Sequence, residues 1–174
     1  MSSPRLDVTA PHDEPVIVFR RAFQAPARLV FSAWTEPAHL RHWRVPRGFE
    51  LVVCEVDLRV GGGYYFVHRA PDGSQHGFRG QYLQIEPPSR LVSTFTYEAA
   101  PETEVLDEVT FTGNGGTTLV TGRTVFPTFQ ARALYAAAGA ERGLAECHER
   151  LDGLLSALAT SAAQRAEGQR QCGS

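Results

Sequence analysis

Histidine, cysteine, tyrosine and arginine are the side chains whose spacing gives this chain something to do chemically. His68 alternates with Tyr64 and Phe66 along one face of an apolar run. Turned into an interior, it could act as a general acid or base, or simply hydrogen-bond a bound molecule. The sequence places no carboxylate beside it, which favours the hydrogen-bonding role. Phe78 and Tyr82 share a face with Gly80 between them, and a glycine inside a strand lets another group approach closely. Tyr82 would supply a polar tip in an apolar wall. Cys147 and His148 are adjacent in a helical pattern, so their side chains point ~100° apart. That makes a poor nucleophile and base pair. Cys147 falls in an apolar stripe and reads as an inert core thiol.

His39 and His42 lie three residues apart in the run His39-Leu40-Arg41-His42-Trp43-Arg44. Such spacing could start a metal site, but no further carboxylate or HExxH pattern supports one, and no metal is expected. The cluster reads as solvated helix surface or as a pocket rim that meets an anionic group. Arg123 alternates with Leu119, Thr121 and Val125; it could pair across a hairpin with Asp107 or Glu108, or with a carboxylate ligand. Gly61-Gly62-Gly63 lacks the strand-to-helix setting of a phosphate loop. All 17 basic residues are Arg, so lysine Schiff-base chemistry is absent from this chain.

Residues 16–23 are rich in β-branched and aromatic residues and predict a first strand. Pro26 opens a short helix with Leu29, Val30, Ala33 and Trp34 on one stripe. Thr35 is positioned to cap a second short helix with Pro37 in its first turn. The period then changes to two. Strands are expected over 49–58, 64–69, 76–85, 91–97, 105–112 and 117–126, joined by turns at Gly61–Gly63, Pro71-Asp72-Gly73, Pro87-Pro88 and Gly113–Gly116. That is about seven strands, mostly joined by tight turns and therefore antiparallel. A short helix follows over 129–138. Ala140, Leu144, Cys147, Leu151, Leu154, Leu155 and Leu158 then mark an amphipathic helix of about five turns. Residues 1–14 and 161–174 are polar and are expected to be flexible tails around one domain over 15–160.

Composition closes off several classes. The net charge is -2 and apolar residues make up 43% of 174. That balance excludes a nucleic-acid field and a polybasic membrane tail. No apolar run reaches the ~18 residues of a membrane span. Three widely spaced cysteines make neither a disulfide framework nor a zinc motif. The first residues lack an apolar signal region, and a cytoplasmic location is expected.

Several segments in order resemble one superfamily. They are Phe23-Gln24-Ala25-Pro26 leading to Trp34-Thr35-Glu36-Pro37, Leu40 to Trp43, Asp57-Leu58-Arg59-Val60-Gly61-Gly62, Gly80-Gln81-Tyr82, Ile85 to Val92, Val109-Thr110-Phe111, Gly116 to Leu119, Gly139 to Gly143, and Glu149 to Asp152. Together they resemble the SRPBCC or START-like superfamily. The branch they look most like is the domain named after the activator of the heat-shock-protein-90 ATPase, over roughly 15–158. The resemblance implies an α+β helix-grip fold, as in birch-pollen-allergen-like proteins: a curved antiparallel sheet around a long C-terminal helix. A bent sheet and a straight helix leave a gap near one end, which the resemblance makes a ligand cavity. Where many relatives carry Trp, this chain has Leu144, which implies a roomier pocket.

The expected function is binding of a small hydrophobic molecule, without organic cofactor. Trp34, Trp43, Phe66, Phe78, Phe95, Phe111, Leu144 and Cys147 would form the walls. His68, Tyr82 and His148 would orient the guest's polar group. Two alternatives remain: a cyclase or hydrolase acting on a polyketide-like substrate in the same cavity, and a chaperone partner working through the outer surface. A homodimer is compatible with the fold, but no residue pattern encodes one.

Overall fold

The computed structural model describes residues 5–172. Twelve elements follow in chain order: β1 (Asp7–Thr9), β2 (Val16–Phe23), α1 (Ala27–Thr35), α2 (Pro37–Trp43), β3 (Glu50–Val56), β4 (Gly63–Arg69), β5 (Gln75–Glu86), β6 (Arg90–Tyr97), β7 (Glu104–Asn114), β8 (Thr117–Val125), α3 (Phe129–Ala137) and α4 (Ala140–Gln171). The strands form one antiparallel sheet in the order β1-β2-β8-β7-β6-β5-β4-β3. This is the expected α+β helix-grip architecture, with eight strands rather than seven. The added strand, β1, pairs Asp7 with Arg20 and Thr9 with Val18 inside the segment expected to be a tail. Three mostly polar residues carry no alternation signal, so the strand exists through its partner's free edge. Residues 1–4 and 173–174 of the expected tails lie outside the described residues.

Register shifts between Leu51 and Val53 in β3 and between Tyr82 and Gln84 in β5 bend the sheet. Its concave face receives the first half of α4, where Cys147, His148, Leu151 and Leu155 are buried. α1 and α2 close one end of the concavity through Val30, Phe31, Trp34, Leu40 and Trp43. The Trp43 indole donates to the Ala33 carbonyl at 2.9 Å and locks α2 onto α1. Arg150 donates to the Val45 carbonyl at 2.6 Å, and Arg47 pairs with Glu149 at 2.9 Å. These contacts fix α4 against the segment after α2.

Two local expectations are corrected. Glu36, not Thr35, is the N-cap residue of α2, and it makes no side-chain cap. The Thr35 hydroxyl instead donates back to the Phe31 carbonyl at 2.9 Å, because Thr35 is still inside α1 and buried. The expected tail from 161 onward continues α4 as helix to Gln171, with every described side chain exposed. Alanine, glutamine and arginine there have high helix propensity, and the helix already nucleated upstream extends through them. No described helix is long and apolar enough to cross a membrane.

Candidate functional site

The gap between sheet and helix is real: a cavity of about 310 Å³ opens between β4–β8, the end of α2, α3 and the first turns of α4. Trp34, Phe66, Tyr82, Phe95 and Leu144 line it, five of the residues expected there. Trp34 comes from α1 and Leu144 from α4; the other three are inward positions of β4, β5 and β6. Burial pushes the Tyr82 phenol up to about 12, so it stays protonated as a donor.

Six expected wall residues lie elsewhere. Trp43 and Phe111 are buried behind Trp34, with ring centroids 4.6 and 5.6 Å from it. Phe78 and His68 meet at a tilt, centroids 4.6 Å apart, toward the far end of β4 and β5, where Phe78 stacks on Tyr97 at 5.0 Å. Alternation places both on the inward face correctly, but the cavity ends before reaching them. Burial, with Arg44 and His76 adding to it, lowers His68 to about 4. Cys147 is sealed in the core, its thiol pushed up to about 11 by burial. His148 is the clearest departure. It is fully buried and ringed by Phe19, Phe23, Trp34 and Trp43, with centroids 5.1 to 6.3 Å away. Neither ring nitrogen finds a hydrogen-bond partner among the described residues. Desolvation, then the charges of Arg21 and Arg44, lower it to about 3. It is a neutral core aromatic, not a ligand-orienting group.

The glycine between Phe78 and Tyr82 serves the wall rather than a guest. Gly80 pairs with Tyr64 across the ladder, and a Cβ there would collide with the Tyr64 hydroxyl and the Thr94 carbonyl. Tyr64 lies across it and donates to that carbonyl at 2.6 Å. Gly122 does the same on β8, where the Phe19 ring occupies the space a side chain would take.

Besides Tyr82, the cavity takes polar groups from outside the expected wall, one of them, Arg44, from the cluster read as solvated surface or pocket rim. Arg44 follows α2 and borders the cavity, its guanidinium 5.9 Å from the Phe66 ring centroid and 5.8 Å from that of Trp43. Asp107 of β7 also lines it, opposite Thr124 in the β7–β8 ladder, whose hydroxyl donates to it at 2.6 Å. Desolvation raises the Asp107 carboxyl above the usual carboxylate range, against the opposing effects of the Thr124 bond and the Arg44 charge. Arg123 does not pair with Asp107 or Glu108. It reaches Glu14 at 2.9 Å, while Glu108 pairs with Arg90 at 3.1 Å. His39 rests 3.4 Å from Glu36 on the surface of α2.

α3 lies over one side of the opening, contributing Tyr135 and Ala136, with β1 contributing Val8 and Thr9. Arg132 ties the two together: it donates to the carbonyls of Pro11 at 2.5 Å and Glu14 at 2.8 Å. α3 buries no residue completely.

The family model for "activator of Hsp90 ATPase homolog 1-like protein" matches residues 24–156. The chain belongs to this family. Among solved structures, it is similar to a Rhodobacter sphaeroides protein, with 27% identity and a TM-score of 0.81 over 88% of this chain and 99% of that one. A Nitrosomonas europaea protein shares 25% identity at a TM-score of 0.76, over 83% and 96% of the two chains. An Arthrobacter aurescens protein at 24% identity, TM-score 0.79, covering 86% and 91%, shows the same fold. No curated protein matches. Family membership accounts for the order of elements; the cavity's polar groups, Arg44 and Asp107, are described by this chain's own geometry.

Proposed function

We propose that this chain binds a small, mainly hydrophobic molecule in the cavity between sheet and α4. The observation that carries the reading is a mainly apolar chamber of about 310 Å³ with polar and charged groups interspersed along its lining. Small-molecule sites have this composition, and their volumes begin near ~300 Å³. A guest bound there stabilises the folded chain by mass action. Leu144 supports the same reading, because a larger side chain there would shrink the chamber.

The test is a thermal-shift screen of small apolar compounds against the wild-type chain and Leu144→Trp. At 100 times Kd a guest adds ~2.7 kcal/mol. Binders should raise the wild-type Tm by several degrees and leave Leu144→Trp nearly unmoved. Equal shifts in both proteins, or none in either, would refute the reading.

Asp107 favours one second use of the same chamber. A carboxyl biased toward its neutral form by burial can give a proton to a bound guest and take one back. An enzyme of that kind would lose conversion of its guest, seen by mass spectrometry after incubation, about 10²-fold or more in Asp107→Asn while still binding it. A pure binder would show no conversion with either protein.

A further inference from the structure

Five charged residues border the cavity: Arg44, Asp107, Glu108, Arg123 and Glu141. Glu108 and Arg123 are neutralised by Arg90 and Glu14. Glu141 is exposed in the first turn of α4, at the rim. Asp107 has the Thr124 hydroxyl as its partner. Arg44 is different. It is half-buried, and among the described residues no carboxylate lies within 4 Å of it and no acceptor takes its side-chain N–H groups.

An arginine cannot shed its proton at any ordinary pH, so burial cannot relieve it by neutralisation. Its planar fork is shaped for two parallel bonds to a carboxylate-class group. The neighbouring ring of Phe66, and that of Trp43, leave the guanidinium with aromatic contacts but no charge partner. The apolar wall of Trp34, Leu40, Phe66 and Tyr82 begins beside it. Asp107, the other charge inside, is pushed by burial toward the uncharged acid and so offsets Arg44 less than a free carboxylate would.

We infer that the guest is an amphiphilic anion: a compact apolar or aromatic body whose single carboxylate-class group is held by Arg44, with the body lying along Trp34, Phe66, Tyr82 and Leu144. This rests on the binding function proposed above and names the guest's chemical class. A neutral or cationic guest would leave the guanidinium without a partner in a partly desolvated site, at a cost that a bidentate anion removes.

The test uses matched acid and amide pairs, which differ in charge but hardly in shape: octanoate and octanamide, 4-phenylbutyrate and 4-phenylbutanamide, 2-naphthoate and 2-naphthamide. Each is titrated by isothermal calorimetry into wild type, Arg44→Met and Arg44→Lys. Wild type should bind at least one acid about tenfold or more tightly than its amide, the range a hydrogen-bonded charge contributes. Arg44→Met should bring the pair to within about twofold by weakening the acid alone, and Arg44→Lys should keep part of the preference. Amides binding as well as acids to wild type would overturn the anionic class and leave the cavity reading standing; this needs no variant, so a poorly folding Arg44→Met cannot hide it. A preference that survives intact in Arg44→Met would also overturn it. Silence from all three pairs in wild type would sink both this inference and the cavity function beneath it.

Discussion

His148 and Arg21 set the cost of the interior at the level of single residues. His148 has a folded-state pKa of about 3, below its ordinary value of 6.5. A lowered histidine pKa means the unfolded chain binds the proton more readily. The stability it contributes is therefore whole above pH 6.5 and is lost as the pH falls from 6.5 toward 3, by an amount on the order of 3–5 kcal/mol. His68, lowered to about 4, adds to the same loss. His148→Leu removes two unsatisfied nitrogens from the core. Denaturant melts at pH 7 and pH 4.5 should show Leu at least as stable as His at the higher value, with a smaller drop between them. An unchanged pH slope would show that His148 reaches solvent or a partner.

Arg21 is 4% exposed and pairs with Asp152 of α4, and its Nε has no partner among the described residues. Removing the carboxylate in Asp152→Ala strands a buried charge and should cost about 3 kcal/mol in urea unfolding. A loss under 1 kcal/mol would mean the pair is solvated. Sequence could not reveal this pair. Asp152 reads as one of the polar residues away from the α4 stripe, and Arg21 sits beside Arg20, with nothing in the sequence to say which of the two turns inward. Asp107 hid for a related reason. In Val105-Leu106-Asp107-Glu108-Val109 the charge falls on the inward face and Leu106, 37% exposed, on the outward one. Alternation back from Phe111 puts Asp107 on the inward face, but the adjacent Glu108 offers the same charge on the outward face, so the charge by itself does not mark the buried carboxylate.

At the level of elements, the period-two runs and the α4 stripe were legible because burial on one face imposes them. The strands from β2 to β8 and helices α1 to α3 appear within a few residues of their expected limits, whereas α4 starts where its stripe does but runs on to Gln171 through residues expected to be a tail. β1 was not legible, since it depends on an edge supplied from elsewhere. The inward side of β4, β5 and β6 was read correctly, yet where along that side the cavity stops was not. Its extent depends on how far α4 and α1 fill the concavity, which no single strand encodes. Gly80 illustrates how tightly that side is built. Gly80→Ala should displace Tyr64 and lose about 1–3 kcal/mol in a chemical melt, as overpacking does. Wild-type stability in that variant would show that Tyr64 does not lie across β5.

α3 presents a different kind of element. Phe129, Leu134 and Tyr135 are largely exposed, and Arg132 is its polar anchor to the segment between β1 and β2. Segments with little buried apolar surface open at low cost. Arg132→Met should therefore speed guest dissociation in stopped-flow measurements several-fold, with little change in global stability. Unaltered dissociation would place the exit route elsewhere.

Over the whole molecule, a twisted open sheet cannot follow a straight helix along its full length. Here α4 seals one half through Cys147, His148, Leu151 and Leu155, and leaves the other half hollow beyond Leu144. Family membership gives that shape; the chemistry inside belongs to Arg44, Asp107 and the rings around them. Native mass spectrometry of the wild-type chain, purified from its own source without detergent, puts the central claim to the most direct test. The protein should carry a small-molecule mass, at one copy per chain, that is absent from Leu144→Trp prepared in the same way. An added mass that persists undiminished in Leu144→Trp, or a wild-type chain that carries nothing and takes up none of the apolar acids offered to it, would contradict the account.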